Sequence, residues 1–161
     1  MPTVDFSVGE RKAVIKLEQA QDVPAYIRSM YATNNFMNTF GVHIDEIKCG
    51  SVVVSIDIDP AKHFNHRGIC HGGVMLALAD SVLGVTGASV GAAVATLNFS
   101  MNFIKGIHKP TKLFVHSHIK HNGHSTMVIE AEMTDSDDHL IGTILTTMFV
   151  VDRFEEIPAK W

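Results

Sequence analysis

A single carboxylate interrupts the most apolar stretch of this 161-residue chain. Between Gly72 and Phe99, Asp80 is the only residue with a formal charge. Burying an unpaired charge costs free energy or keeps the group protonated, so we expect Asp80 either to be held by partners or to be retained for chemistry. As a carboxylate it can attack a carbonyl carbon or remove a proton from water, and an apolar helix would raise its basicity by desolvation. The sequence does not choose between these two routes.

A glycine pair, Gly72 and Gly73, precedes this carboxylate at the start of the apolar segment. The segment from His71 to about Ser89 has the composition and length of a helix, so the pair falls at its N-terminus. Glycines leave backbone N–H groups unobstructed at the positive end of the helix dipole. Such amides can stabilise an oxyanion that develops on a carbonyl oxygen.

The spacing of these two features constrains how they can cooperate. Gly73 and Asp80 are seven residues apart, so they share a helix face but lie about 10 Å apart along the axis. They cannot both act on one carbonyl. If both serve one site, one subunit supplies the amide and another supplies the carboxylate, which requires at least a two-fold dimer.

The rest of the chain provides the elements that position this helix. Short helices are predicted over Asp22–Tyr31 and Asn34–Phe40, as a lid or brace. Alternation, β-branched residues and turn signals then predict six strands around the long helix. The predicted strands are Val42–Lys48, Ser51–Asp59, Val94–Ile104, Lys112–His121, Thr126–Thr134 and His139–Val151. The order of two strands, one helix and four strands favours an α+β fold, in which an antiparallel sheet wraps one nearly buried helix.

At this point the sequence resembles a known family. Its motifs match the signature of the PaaI-type hotdog-fold acyl-CoA thioesterases over about residues 34 to 151. The matching residues are Asn65-His66-Arg67-Gly68, Cys70-His71-Gly72-Gly73 and Leu78-Ala79-Asp80-Ser81. The resemblance implies a hotdog domain at 34–161, and residues 1–33 are expected to form an N-terminal extension that is largely helical.

The resemblance also implies roles for individual residues. Asp80 matches the catalytic carboxylate, and His71-Gly72-Gly73 match the oxyanion-binding turn. Asn65 matches a polar residue that helps to hold the water or the thioester, and Thr96 matches a hydroxyl that orients the water or the carboxylate. The implied activity is hydrolysis of acyl-CoA to a free acid and coenzyme A by a homo-oligomer, a dimer or a dimer of dimers, without a metal or organic cofactor.

The position of Thr96 has no motif of its own. On simple alternation Thr96 shares a strand face with Asn98 and Ser100, so a bulge or a shift in the strand would change which way its side chain points.

Two other functions remain open on the same fold. One is an acyl-thioester dehydratase or hydratase, although the spacing of the His71 turn and Asp80 fits a hydrolase better. The other is a non-enzymatic acyl-CoA sensor, which would be expected to lack the acid or to carry a DNA-binding module.

The remaining reactive residues have structural interpretations as well as functional ones. His63, His66 and His71 lack the additional ligands of a zinc site, and Cys70 is expected to be a small buried thiol rather than a nucleophile. The cluster Asp135, Asp137 and Asp138 lacks the full spacing of a calcium loop and is interpreted as a polar turn. A strip of basic residues is either a solvated edge or a contact for the phosphates of coenzyme A. The strip consists of Lys120, His121 and His124, near His116 and His118.

Composition limits the class of protein. Hydrophobic residues make up 46% of the chain and charged residues 19%, as in an ordinary globular domain. The net charge of −4 argues against nucleic acid or an anionic membrane as the main partner, because both reward clustered Lys and Arg. Asp80 also argues against a membrane span over residues 72–99. With no visible secretory signal and two cysteines expected to be reduced, a cytoplasmic location is expected.

Overall fold

A computed structural model describes residues 22–161, and the predictions for residues 1–21 lie outside this part of the chain. Four helices and six strands follow one another, in the order given by their bounds. The helices are α1 (Val23–Tyr31), α2 (Asn35–Phe40), α3 (Pro60–His63) and α4 (Gly72–Ala88), and the strands are β1 (His43–Lys48), β2 (Ser51–Ile58), β3 (Ala92–Phe103), β4 (Thr111–Asn122), β5 (Thr126–Asp135) and β6 (Leu140–Arg153). The predicted elements are confirmed to within a few residues, and only the short helix α3 was missed.

All six strands form one antiparallel sheet in the order β1-β2-β4-β5-β6-β3. The strand β3 is therefore an edge, although it is twelve residues long. Leu97 and Phe103 on this strand are 61% and 49% exposed, and Ile104 directly after it is 55% exposed. Long edges with exposed apolar side chains are sites where another chain can pair.

Helix α4 packs against β2, β3, β4 and β5 and forms the centre of the core with their inward side chains. Leu78, Val82 and Leu83 are fully buried. The helix is not buried on all sides, however, because Gly73, Leu76 and Asp80 are exposed. The expectation of a nearly buried helix is therefore wrong for one stripe, and the carboxylate lies on that stripe. No helix among residues 22–161 is both long and apolar enough to cross a bilayer.

The two N-terminal helices begin as their sequence predicts. The Asp22 side chain accepts a hydrogen bond from the N–H of Ala25 and so caps α1, and the Asn34 side chain accepts one from Met37 and caps α2. Helix α1 packs on α4 and β1. Phe36 and Met37 of α2 line the same cavity as Asp80 of α4. The packing of α1 on α4 agrees with a brace, and a role as a lid stays a prediction.

A β-bulge in β3 decides the direction of Thr96. Thr96 pairs with Met148 and Asn98 pairs with Thr147, so the ladder skips Leu97. Met148 is buried in the core, and Thr96 therefore shares its face of the sheet. The extra residue places Thr96 towards α4 and Asn98 on the opposite face, which simple alternation would not give.

Candidate functional site

The centre of the candidate site is a hydrogen bond between a helix and the edge strand. The Thr96 Oγ1 hydroxyl donates to Asp80 Oδ1 at 3.1 Å. The bond depends on the bulge in β3, because only the inward face of that strand meets α4. The resemblance implied that the Thr96 hydroxyl orients the carboxylate, and the structure places that hydroxyl within hydrogen-bond distance of Asp80.

Asp80 is exposed to solvent in the single chain. The expectation that its own apolar helix desolvates this carboxylate is therefore wrong within one subunit. Water must be excluded by something other than residues 22–161 of one subunit if Asp80 is to act in a dry site.

At the other end of the helix, His71 is the N-cap residue of α4. Its Nδ1 atom accepts a hydrogen bond from the N–H of Gly73 at 3.1 Å, and its own carbonyl accepts one from Val74. The Gly73 amide is thus occupied, whereas the Gly72 N–H has no acceptor among residues 22–161. Of the predicted pair, Gly72 is the amide that is available to an oxyanion.

The ring of Phe103 lies beside Gly72. A Cβ atom placed on Gly72 would lie 3.4 Å from Phe103 Cζ, which is ordinary van der Waals contact. Gly72 therefore lies beside the C-terminal end of β3, while Asp80 lies beside Thr96 nearer its other end. Within one chain the two chemical groups stay about 12 Å apart along α4.

Asn65 stabilises the turn that leads into α4. Its Oδ1 atom accepts hydrogen bonds from the N–H groups of Arg67 at 2.9 Å and Ile69 at 3.3 Å. The side-chain oxygen is thereby occupied, whereas the side-chain Nδ2 atom of Asn65 has no protein partner among the described residues. The backbone N–H of Asn65 donates to the carbonyl of Ile69 at 2.8 Å. Asn65 does not line the cavity at Asp80 in the same chain.

The predicted basic strip lies on and after β4, and one of its members is already paired. Lys120 Nζ is 2.9 Å from Glu130 Oε2, and His118 Nε2 is 3.7 Å from the same carboxylate oxygen. His121 and His124 are exposed near the following turn. A contact of this strip with phosphates stays a prediction.

The other candidate residues have structural partners. Burial raises the pKa of the Cys70 thiol, which is 3% exposed, so little nucleophilic thiolate is present. His63 Nδ1 accepts the N–H of Asp59 at 2.9 Å, a bond that closes the turn of α3. Asp135 Oδ1 accepts the N–H groups of Asp137 and His139, as in a polar turn.

A cavity of about 340 Å³ opens beside Asp80. Its walls come from α4, from the strands β3 and β6, and from α1 and α2 with the turn between them. The lining residues are Tyr31, Asn34, Phe36, Met37, Asp80, Ser81, Gly84, Val94, Thr96 and Met148. Sequence reasoning missed Tyr31 and Asn34 as site residues, because it treated the N-terminal helices only as a brace.

A larger groove of about 620 Å³ lies on the opposite face of the sheet. His116, His118, Glu130 and Glu132 line it, and two of these side chains pair with each other. Neither Asp80 nor Gly72 reaches this groove. The smaller cavity is therefore the candidate site, because it contains the carboxylate and its hydroxyl partner.

Comparisons with known proteins agree with this geometry. A family model described as the thioesterase superfamily matches residues 67–141, which include the glycine turn, Asp80 and Thr96. A putative esterase of Archaeoglobus fulgidus is 25% identical over 124 residues, covering 77% of this chain and 80% of the relative. The resemblance to the PaaI-type thioesterases is thereby confirmed at the level of the superfamily.

Solved structures show the same fold. The Escherichia coli PaaI protein, from the phenylacetic acid degradation operon, matches with a TM-score of 0.77 at 19% identity, over 82% of this chain and 95% of that one. A hypothetical thioesterase of Streptococcus pneumoniae with coenzyme A matches with a TM-score of 0.68 at 25% identity, over 74% and 99%. The chain therefore has the predicted hotdog fold. Two further structures are of variants of the Streptococcus protein. In one, an aspartate is replaced by alanine, and in the other, a threonine sixteen residues later is replaced by alanine.

Proposed function

We propose that this protein is an acyl-CoA thioesterase, which hydrolyses the thioester of an acyl-CoA to the free acid and coenzyme A. The observation that carries the proposal is the Thr96 to Asp80 hydrogen bond at the mouth of a cavity. The substituted aspartate and threonine of the Streptococcus thioesterase have the same spacing of sixteen residues as Asp80 and Thr96. That thioesterase also binds coenzyme A in its structure.

In the proposed reaction Thr96 holds one oxygen of Asp80 and leaves the other free. The free oxygen removes a proton from a water molecule that attacks the thioester carbonyl, or it attacks the carbonyl itself and the resulting anhydride is hydrolysed. In both routes the C–S bond breaks and coenzyme A leaves as a thiolate that takes up a proton. The Gly72 N–H stabilises the negative charge on the carbonyl oxygen.

A homodimer completes this site in the proposal. The exposed edge strand β3 supports pairing with a second copy, because Leu97 and Phe103 would otherwise remain in water. Asp80 accepts a hydrogen bond from Thr96, and Gly72 lies beside Phe103. An antiparallel pairing that sets Thr96 opposite Phe103 of the partner subunit therefore brings each carboxylate close to the other subunit's free amide. Its two-fold axis passes between Phe99 and Ser100.

The dimer also supplies what the single chain lacks. Asp80 is exposed in one subunit, and a partner strand with its helix would exclude water from the thioester. A dimer of two such dimers is compatible with the same site. The proposed enzyme acts in the cytoplasm, where its two free cysteines, Cys49 and Cys70, would stay reduced.

We propose that the strip of Lys120, His121 and His124 binds the phosphates of coenzyme A. Replacing the three residues by Gln should raise KM mainly at low salt and leave kcat unchanged, because exposed charges are screened by salt. An unchanged KM across salt concentrations would assign the strip to a solvated edge.

A panel of acyl-CoAs tests the proposed function. Short, medium, long and aromatic acyl-CoAs are assayed for free thiol release with the wild-type protein and Asp80→Asn. We expect thiol release by the wild-type protein and a loss of about 10²-fold or more in the variant. Acyl-CoA binding without thiol release would favour the non-enzymatic sensor. Hydration of an enoyl-CoA without thiol release would favour the hydratase.

A further inference from the structure

The cavity at Asp80 extends along α4 to a second polar group. Gly84 lies four residues after Asp80 on the same helix face, which is one turn or about 6 Å along the axis. The apolar side chains in the walls of the cavity include Met37, Val94 and Met148, and Val94 lies close to Gly87, about one turn beyond Gly84. An acyl group whose carbonyl lies at Asp80 would run over this apolar wall towards Gly84.

Tyr31, the last residue of α1, lies at the far end of this path. Its hydroxyl oxygen lies 2.9 Å from the position that a Cβ atom on Gly84 would take. Any other residue at position 84 would displace the phenol, so glycine is what lets the hydroxyl come this close to the helix. Tyr31 also lines the cavity that contains Asp80 and Thr96.

The Tyr31 hydroxyl has no hydrogen-bond partner within residues 22–161. Burial raises the pKa of Tyr31, so the phenol stays a neutral donor and acceptor throughout the physiological range. Tyr31 is half-buried and borders the cavity, so a ligand that fills the cavity takes the hydroxyl out of water. A polar group that is buried in this way is unfavourable unless it is paired. Tyr31 and Asn34 also line a second depression of about 310 Å³, together with Met30, Thr33 and Phe154. Asp80 and Thr96 do not line that depression, so a ligand that reaches from Asp80 to Tyr31 must occupy the first cavity.

Asn34 adds a second donor at the same end. Its Oδ1 atom is used to cap α2, whereas its side-chain NH₂ group has no protein partner in the described part of the chain. The cavity thus has a reactive group at Asp80, apolar side chains in its walls and polar groups at Tyr31 and Asn34.

We propose that Tyr31 is a specificity-determining residue, whose hydroxyl binds a polar substituent at the distal end of the acyl group. The inference rests on the proposed thioesterase function. It specifies the class of acyl group, which is apolar along its length and carries a hydroxyl or another hydrogen-bonding group at its distal end. An acyl group without such a substituent leaves the Tyr31 hydroxyl unpaired when it fills the cavity. The site therefore discriminates against it.

The test uses matched acyl-CoAs that differ only in a terminal hydroxyl. Hexanoyl-CoA is compared with 6-hydroxyhexanoyl-CoA, and octanoyl-CoA with 8-hydroxyoctanoyl-CoA. The ratio of kcat/KM within each pair is measured for the wild-type protein, Tyr31→Phe and Tyr26→Phe. Tyr26 is the matched control, because it lies on the same helix and is buried but does not line the cavity.

We expect the wild-type protein to prefer the hydroxylated member of at least one pair by about tenfold, the effect of one hydrogen bond. Tyr31→Phe should abolish that preference and Tyr26→Phe should retain it. A ratio that is the same in the wild-type protein and in folded Tyr31→Phe for both pairs overturns the proposal.

A binding measurement separates this proposal from the proposed function. The affinities of the same four acyl-CoAs are measured by calorimetry for Asp80→Asn and for Asp80→Asn combined with Tyr31→Phe. A preference that disappears with the phenol supports the role of Tyr31, even if the wild-type protein releases no thiol and the thioesterase function fails. Equal affinity ratios in the two variants overturn the role of Tyr31, even if the protein is a thioesterase.

Discussion

Thr96 and Asp80 are joined by a 3.1 Å hydrogen bond that exists only because β3 contains a bulge. The bulge residue, Leu97, allows Thr96 to face α4 while Asn98 faces the other side of the sheet. The hydroxyl donates to one carboxylate oxygen and thereby fixes the direction of the other. The bond thus relates a strand irregularity to the orientation of the proposed catalytic group.

The first prediction concerns this hydroxyl. Thr96→Val keeps the shape of the side chain but removes the donor, so we expect kcat to fall by about tenfold, since the hydrogen bond is to a charged group. Thr96→Ser keeps the donor and should retain most of the activity. Steady-state kinetics of both variants on one acyl-CoA provide the measurement. Equal losses in both variants would mean that side-chain packing, rather than the hydroxyl, matters at this position.

The second prediction concerns the division of the site between two subunits. Gly72→Pro removes the free N–H at the first helical position, where proline is well tolerated. His71 has an extended backbone, with φ of −66° and ψ of 132°, as a residue before proline requires. Gly72→Ala is the matched control, because it keeps the N–H and adds only a Cβ atom in ordinary contact with Phe103.

We expect Gly72→Pro and Asp80→Asn each to be inactive and Gly72→Ala to remain active. Mixing the two inactive proteins should restore activity, because one of the two sites in each mixed dimer carries neither defect. With equal amounts and random exchange, recovery should approach about a quarter of the wild-type activity. Native mass spectrometry verifies the exchange, and verified mixed dimers without activity would refute the shared site.

The third prediction concerns the cap of α4. Because His71 Nδ1 accepts the Gly73 N–H, His71→Ala should lower the free energy of unfolding by about 1 kcal/mol. His71→Asn supplies another capping acceptor and should restore most of the loss. Urea unfolding monitored by circular dichroism gives both values. The same midpoint for His71→Ala and the wild-type protein would show that the cap contributes nothing.

The fourth prediction concerns the turn between β5 and β6. Desolvation raises the pKa of Asp135, but hydrogen bonds from the backbone and ring of His139 and from the backbone of Asp137 outweigh it and leave the pKa lowered. A carboxyl group whose pKa is lower in the folded state stabilises the fold above its unfolded pKa of about 3.9. That contribution is lost as the pH falls through the lower, folded value.

Asp135→Asn should therefore reduce the stability at pH 7 and weaken its decline in acid. Urea midpoints of the wild-type protein and the variant between pH 7 and pH 2 provide the comparison. If the difference between the two proteins stays constant over this range, ionisation of Asp135 makes no contribution to stability.

The sequence by itself determined the elements and the main candidates for chemistry. Helix α4 lies within one residue of its predicted bounds, because apolar composition, length and end signals are local properties. Asp22 caps α1 for the same reason. Asp80 was recognisable because it is the only residue with a formal charge between Gly72 and Phe99, although the burial that we expected for it is absent within residues 22–161 of one subunit.

Only the tertiary structure decided how these residues are used. The bulge at Leu97 depends on how β3 pairs with β6, and a strand alone does not fix that register. The sequence did not show which of the two glycines has a free N–H. In the structure the ring of His71 accepts the Gly73 N–H, which leaves the Gly72 N–H free among residues 22–161. Tyr31 reaches the cavity only because α1 packs against α4 at Gly84. Contacts between residues far apart in sequence arise from packing, and periodicity along the chain carries no information about them.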